Sequence, residues 1–286
     1  MRPPGPATSV HVALWVVLLL AAGVAAACGG SAARLDGPPP PPDADVTGEK
    51  CTEGDTYVVG PYTYMNNQWG RSKVPAGQTY RQCLQTRLVT GVTQYGWRFR
   101  WPGHDPSVYA YPEIMFGWTP WGGGGSSNAR FPMPVADMPP VRVTYEVESE
   151  ISGYYNLAAE VWLTRTGDAG APRPEDIATE IMFWLDYDTT MRPAGGSVAT
   201  VMVDGHPYDL YKGTVSNAQA SWTYLAYKGP RGQLAGALRL DAFIRDAVSR
   251  GYASTAHFVT GVEFGNECAG GTGTTWVTRY DVSIGQ

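Results

Sequence analysis

Ala178-Thr179-Glu180-Ile181-Met182-Phe183-Trp184-Leu185 is the stretch on which the fold turns. Side chains alternate between the two faces of a strand. Thr179, Ile181, Phe183 and Leu185 then share one face, almost wholly apolar and suited to a core. Glu180, Met182 and Trp184 share the other. A carboxylate beside a thioether and an indole is an unusual solvated face. It suits a sugar-binding cleft, because sugar rings offer flat C–H surfaces to aromatics and hydroxyls to carboxylates.

Two further stretches repeat the pattern. In Asn156–Leu163, Leu157, Val161 and Leu163 face inward, with Asn156, Glu160 and Trp162 opposite. In 257–267, Phe258, Val262 and Phe264 share one face, and Glu263, Gly265 and Glu267 the other. Additional strand candidates are Tyr95–Trp101, Val141–Glu148, Val198–Val203, Ala218–Tyr227 and Thr274–Ile284. Turn-rich runs at Gly122–Asn128, Gly167–Pro174 and Ala269–Gly273 separate them. Many short strands with almost no interleaved helix predict an all-β jelly roll, a concanavalin-like sandwich of two antiparallel sheets. One short helix is expected over 241–250, capped by Asp241 and ended by Gly251. Phe243, Ile244, Ala247 and Val248 fall at helical spacing as its core stripe.

The chain has 286 residues and a net charge of −5, with no basic run, which argues against a nucleic-acid partner. Hydrophobic residues make up 43% and charged residues only 16%, and Trp and Tyr outnumber Phe, a mix suited to a turn-rich β-protein with an aromatic-lined surface. Residues 1–27 read as an export signal: Arg2, an apolar block from Val10, and Ala25-Ala26-Ala27 at the cleavage site. A membrane anchor helix is the alternative. Cys28 then becomes the first mature residue, either lipid-modified or free. Residues 28–47, with the proline run 38–42, read as a stiff spacer. The folded domain is expected over 48–286, secreted or at the cell surface. Of the four cysteines, Cys51 and Cys83 can pair in an oxidising environment and pin the first strands, while Cys268 adjoins Glu267. The cysteine and histidine spacings fit no zinc pattern, so no metal site is expected.

Read in order along 51–286, the motifs resemble glycoside hydrolase family 12, the endoglucanases and xyloglucanases of jelly-roll fold. Asn66-Asn67-Gln68-Trp69-Gly70 resembles its Asn-Asn-Leu-Trp-Gly. Tyr111-Pro112-Glu113-Ile114 and Gly117-Trp118-Thr119-Pro120-Trp121 resemble a segment of its bacterial branch. Glu160-Val161-Trp162-Leu163-Thr164-Arg165 resembles the strand of the helper carboxylate. Glu180-Ile181-Met182-Phe183-Trp184-Leu185 with Pro193-Ala194-Gly195 resembles the nucleophile strand. Trp222-Thr223-Tyr224-Leu225-Ala226 is similar to another cleft strand, and Phe264-Gly265-Asn266-Glu267 to the acid/base strand. Cys51 and Cys83 fall where many members carry a disulfide.

The resemblance implies a retaining endo-β-1,4-glucanase acting on cellulose, mixed-linkage glucan or xyloglucan. Glu180 would be the nucleophile and Glu267 the general acid/base. Glu160 would hydrogen-bond the nucleophile, its negative charge helping to keep Glu267 protonated. Asn67, Trp69 and Met182 would line the cleft, with Tyr111 and Trp118 as further substrate contacts. Glu113 and Glu263 read as structural, and Trp162, Trp184 and Trp222 fit either cleft or edge packing. Asn266, where the family has Thr, and Cys268 depart from the pattern beside Glu267. The expected partner is a β-glucan bound by a monomer, with no cofactor implied. Two rivals stand beside this reading: a family 11-like xylanase, and a non-catalytic carbohydrate-binding β-sandwich.

Overall fold

The computed structural model describes residues 45–103, 108–122, 125–171 and 173–285. The export signal, Cys28 and nearly all of the spacer lie outside the described residues. In chain order the strands are β1 (Val46–Lys50), β2 (Thr56–Val59), β3 (Tyr62–Met65), β4 (Arg81–Val89), β5 (Val92–Trp101), β6 (Glu113–Gly117), β7 (Met133–Pro134) and β8 (Val141–Thr164). They continue with β9 (Ile177–Tyr187), β10 (Gly196–Val203), β11 (His206–Ser216), β12 (Ser221–Lys228) and β13 (Ala235–Arg239). Helix α1 (Leu240–Ser249), β14 (Phe258–Val259) and β15 (Gly261–Ile284) complete the domain. β1 starts two residues before the boundary expected at 48.

Two layers share strands β8 and β15, each 24 residues long. The first half of β15 and the second half of β8 sit in a layer ordered β2-β3-β6-β15-β8-β9-β12-β11-β10. Their other halves sit in a second layer ordered β1-β4-β5-β15-β8-β13. The jelly roll is therefore hydrogen-bonded as one continuous sheet folded on itself. Its pairing is antiparallel except for β9 and β12, which run parallel. That pair corrects the expectation of purely antiparallel sheets.

The fold-over explains a second correction. Ala269–Gly273 reads as a turn but lies inside β15. Gly270 and Gly271 take φ of 150° and 97°, opposite Gly153 at 136° on β8, with a bulge between Cys268 and Gly270. A Cβ on Gly271 would lie 2.2 Å from the Ser152 carbonyl oxygen. Glycines let the paired strands bend together without breaking their ladder.

Between the layers lies the core, where Leu84, Trp97, Phe99, Val143 and Tyr145 meet Ile181, Phe183, Leu225 and Phe264. The alternation read for 178–185 holds: Ile181, Phe183 and Leu185 enter this core. Met182 and Trp184 join a separate cluster on the opposite face with Ala158, Tyr224 and Ala226. Helix α1 packs Phe243 against Phe183 at 4.6 Å and Tyr227 at 5.0 Å, on the core side of β9 and β12. Asp241 does not cap it. Arg239 occupies the N-cap, and the buried Asp241 carboxylate accepts from Arg239, Arg245 and the Val141 N–H, which keeps its pKa low. Cys51 and Cys83 form a disulfide between the end of β1 and β4, and Cys268 is a buried free thiol. Among the described residues no helix is long and apolar enough to cross a membrane.

Candidate active site

The face of β6, β8, β9, β12 and β15 turned away from the core carries five glutamates. β8 runs between β15 and β9. Glu160 lies opposite Glu263 on one side and opposite Met182 on the other. Glu180 lies opposite Trp162, and Glu267 opposite Asn156. Glu113 arrives from β6, opposite Gly265, where a Cβ would come within 2.2 Å of the Pro112 carbonyl oxygen. Strand periodicity thus places Glu160, Glu180, Glu263 and Glu267 on one surface, and non-local pairing brings them together.

Neutral donors fix the two central carboxyls. Trp222 Nε1 donates to Glu180 Oε2 at 2.6 Å. Asn156 Nδ2 donates to Glu267 Oε2, and Asn156 Oδ1 accepts the Glu267 backbone N–H at 3.3 Å. A second indole, Trp162, donates to Glu263 Oε2 at 3.1 Å. Trp121, Trp162 and Trp222 pack edge-on with centroids 5.3–5.7 Å apart. Trp162 and Trp222 therefore belong to the carboxyl face, a point their sequence left open.

Burial raises every one of these carboxyls, because it disfavours the charged form. It pushes Glu267 up to about 7, opposed by the Asn156 hydrogen bond. It pushes Glu180 up to about 8, opposed by hydrogen bonds from Trp222 and Glu160, while the charges of Glu267 and Glu263 push it further up. Glu160 is raised well above the carboxylate range by burial and by the charge of Glu180. Burial thus favours a protonated Glu160, whose hydrogen bond lowers Glu180, in place of the negative charge expected from the sequence.

The other expected residues are distributed around this centre. Asn67 donates to Glu113 Oε1 at 2.9 Å, and its side-chain oxygen accepts the Trp69 N–H. Trp69 is 52% exposed, with Lys73 Nζ 4.1 Å above one face of its ring. Met182 is buried, its sulfur 3.4 Å from the Tyr224 hydroxyl. Tyr111 is buried near Glu160, its hydroxyl donating to the Ala158 carbonyl at 3.1 Å. Trp118 is buried beside the start of β15, its backbone N–H on the Thr260 carbonyl, so its ring offers no open face.

Glu113 and Glu263, read as structural, stand inside the carboxyl group. Asn156 was read only as a polar strand position, although its place four residues before Glu160 puts it on the same face. Among the described residues the one Cys/His/Asp/Glu grouping compact enough for a metal is Glu49, Cys51 and Cys83, and its two sulfurs are consumed by the disulfide. Two carboxyls raised by burial and held by different donors can serve acid/base and nucleophilic chemistry.

Comparison with known proteins agrees. A family model described as Glycosyl hydrolase family 12 matches residues 60–285. Endoglucanase S of Pectobacterium parmentieri is 28% identical over 78% of this chain and 81% of its own. The xyloglucan-specific endo-beta-1,4-glucanase A of Emericella nidulans is 24% identical over 82% of this chain and 90% of its own. The native family 12 xyloglucanase from Bacillus licheniformis superposes with a TM-score of 0.74 at 27% identity, over 83% of this chain and all of that one. The family match spans every strand that carries one of the five clustered glutamates, and it takes the place of the family 11 and binding-module readings: the chain belongs to glycosyl hydrolase family 12.

Proposed function

We propose that the protein is a retaining endo-β-1,4-glucanase in which Glu180 is the nucleophile and Glu267 the general acid/base. The observation that carries the assignment is the unequal support of the two groups. Glu180 receives donors from both Trp222 and Glu160, and Glu267 a side-chain donor from Asn156. Burial still leaves Glu180 at about 8 and Glu267 at about 7, so the roles are assigned from the donor set, two donors on Glu180 against one on Glu267, and not from the order of these values.

In the first step a Glu180 oxygen attacks the anomeric carbon, the C1–O4 bond breaks, and Glu267 gives its proton to the departing O4. In the second, water attacks C1, Glu267 takes the water's proton, and Glu180 leaves as a carboxylate. Retaining chemistry of this kind needs carboxyls about 5–5.5 Å apart. Glu160 stabilises the Glu180 carboxylate between turnovers. Trp69, with one ring face open, is suited to stack a glucosyl unit. The endoglucanase and xyloglucanase relatives direct the substrate to a β-1,4-linked glucan chain. Residues 1–27 are proposed as the export signal that delivers the enzyme outside the cell, with Cys28 as its first mature residue, lipid-bearing or free.

The test is reducing-sugar release by the 46–286 domain from barley β-glucan, carboxymethylcellulose, xyloglucan and xylan, beside Glu180→Gln. Proton NMR of the first-formed anomer accompanies it. Cleavage of a glucan with β-anomer product, abolished in the variant, is expected. Inverted product, or full activity in Glu180→Gln, overturns the roles.

A further inference from the structure

Glu263 is not needed for the two-step chemistry, yet it is built into the centre from three directions. On β15 it lies directly opposite Glu160 of β8. Its Oε2 accepts the Trp162 indole N–H at 3.1 Å. The Trp162 ring packs edge-on against Trp222 at 5.7 Å and 72°, and Trp222 in turn holds Glu180. Thr119, from the segment after β6, also hydrogen-bonds the Glu263 carboxyl.

The third direction is β6. Glu113 Oε1 accepts from Asn67, but Glu113 Oε2 is buried with no N–H or hydroxyl donor upon it, and the polar group facing it is the Glu263 carboxyl. Two carboxyls meeting in a buried site cannot both ionise. They share one proton and carry one negative charge between them. Burial and their mutual repulsion raise Glu113 well above the carboxylate range, and burial raises Glu263.

We propose that Glu263, paired with Glu113 through a shared proton, is a positioning residue for the nucleophile. It would hold the Trp162–Trp222 indole pair that orients Glu180, and keep a fixed negative charge beside Glu160 and Glu180. The inference rests on the assignment of Glu180 as nucleophile. The titratable groups that face the pair are Glu160 on β8, Glu180 on β9, Glu267 further along β15, and the hydroxyls of Tyr111 and Tyr280. No cation of the described residues contributes to the shift of either carboxyl.

The pair's charge opposes ionisation of Glu180. The Glu263→Gln variant keeps an oxygen for Trp162 and gives Glu113 an amide donor, so the charge moves one strand further from Glu180. The acid limb of kcat/KM should then move to lower pH. In the double variant E113Q/E263Q the charge is gone and the shift should be larger. In Glu263→Ala the Trp162 acceptor is lost as well. Its kcat should fall about tenfold or more with KM little changed, the scale of one lost hydrogen bond to a charged group. Glu263→Gln should recover most of that loss.

These variants are assayed on the glucan the wild type cleaves best, with folding checked by circular dichroism. Wild-type cleavage abolished by Glu180→Gln secures the underlying assignment independently. With that secured, an acid limb unmoved in both Glu263→Gln and E113Q/E263Q overturns the proposal. So does a Glu263→Ala variant that is folded and fully active, or one whose loss Glu263→Gln fails to recover.

Discussion

Trp222 on β12 donates its indole N–H to Glu180 on β9 across 2.6 Å, and these two strands are the parallel pair of an otherwise antiparallel sheet. Parallel pairing sets Tyr224 opposite Glu180 and leaves Trp222 diagonal to it, close enough for the long indole to reach the carboxylate. The hydrogen bond favours the ionised form of Glu180. Trp222→Phe keeps most of the packing with Trp121 and Trp162 and removes only the donor. Glu180 then becomes harder to ionise, so the acid limb of kcat/KM moves to higher pH. kcat falls about 10–100-fold, the range for a hydrogen bond to a charged group. A pH–rate profile that keeps its acid limb in Trp222→Phe would remove Trp222 from the mechanism.

Asn156 acts on the other carboxyl with the opposite consequence. Its amide donates to Glu267 Oε2 and so lowers a pKa that burial pushes up to about 7. In the proposed first step Glu267 must be protonated, so on that assignment it sets the basic limb. In Asn156→Ala the donor is lost, Glu267 holds its proton to higher pH, and the basic limb moves up while kcat falls. The shift separates a tuning role from simple disorder of the site, which would lower activity at every pH alike. A basic limb that stays in place or moves down counts against the assignment of Glu267 as acid.

Much of this centre was legible in the sequence, for a physical reason. In 177–187 an inward apolar set alternates with Glu180, Met182 and Trp184, and period-two alternation survives any sheet topology. The same holds for Glu160 on β8 and Glu267 on β15. The partners were harder to read. Trp222 reaches Glu180 only because β12 returns parallel to β9, and Glu113 meets Glu263 only because β6 pairs with β15. Register between distant strands leaves no local pattern. The glycines at 270 and 271 read as a turn because a strand bend and a turn ask the same thing of the backbone, a positive φ. β1, β2 and β10 were missed or shortened because edge strands keep many exposed residues and lose the clean alternation. Asp241 looked like a helix cap because Asp is favoured there. Its two arginine partners, Arg239 and Arg245, instead draw it into a buried ion pair.

Four buried carboxyls and a fifth that is half-buried make the fold pH-dependent. Glu113, Glu160, Glu180, Glu263 and Glu267 are all raised above the ordinary glutamate value of 4.5. Between that value and the folded ones the native state binds more protons than the unfolded chain, so stability falls as pH rises through the window. The contribution is complete below about pH 4.5 and lost once pH passes the folded value, about 7 for Glu267. Glu267→Gln removes one such group. It should leave Tm unchanged at pH 4 and raise it by a few degrees at pH 8, for a gain of about 1–3 kcal/mol. The side chain is partly open to solvent, which favours the lower end of that range. Thermal denaturation of wild type and variant at both pH values is the check, and a variant less stable than wild type at pH 8 would contradict it.

Trp69 provides the last prediction. Its ring is 52% exposed, one face is covered by Lys73 Nζ at 4.1 Å, and its backbone is tied to Asn67, which in turn bonds Glu113. An exposed indole with one face occupied by a cation presents the other face in a fixed orientation, at little entropic cost on stacking a sugar. It touches none of the groups that move protons. Trp69→Ala should therefore raise KM for a soluble β-glucan roughly tenfold and leave kcat and both pH limbs near wild type, the signature of binding shared by ground and transition states. Lys73→Ala should raise KM in the same direction by less, since the ring is kept and only its restraint is lost. Initial-rate kinetics across substrate concentration distinguish the outcomes. A Trp69→Ala variant with wild-type KM and reduced kcat would place the ring at the reacting sugar rather than at a binding platform.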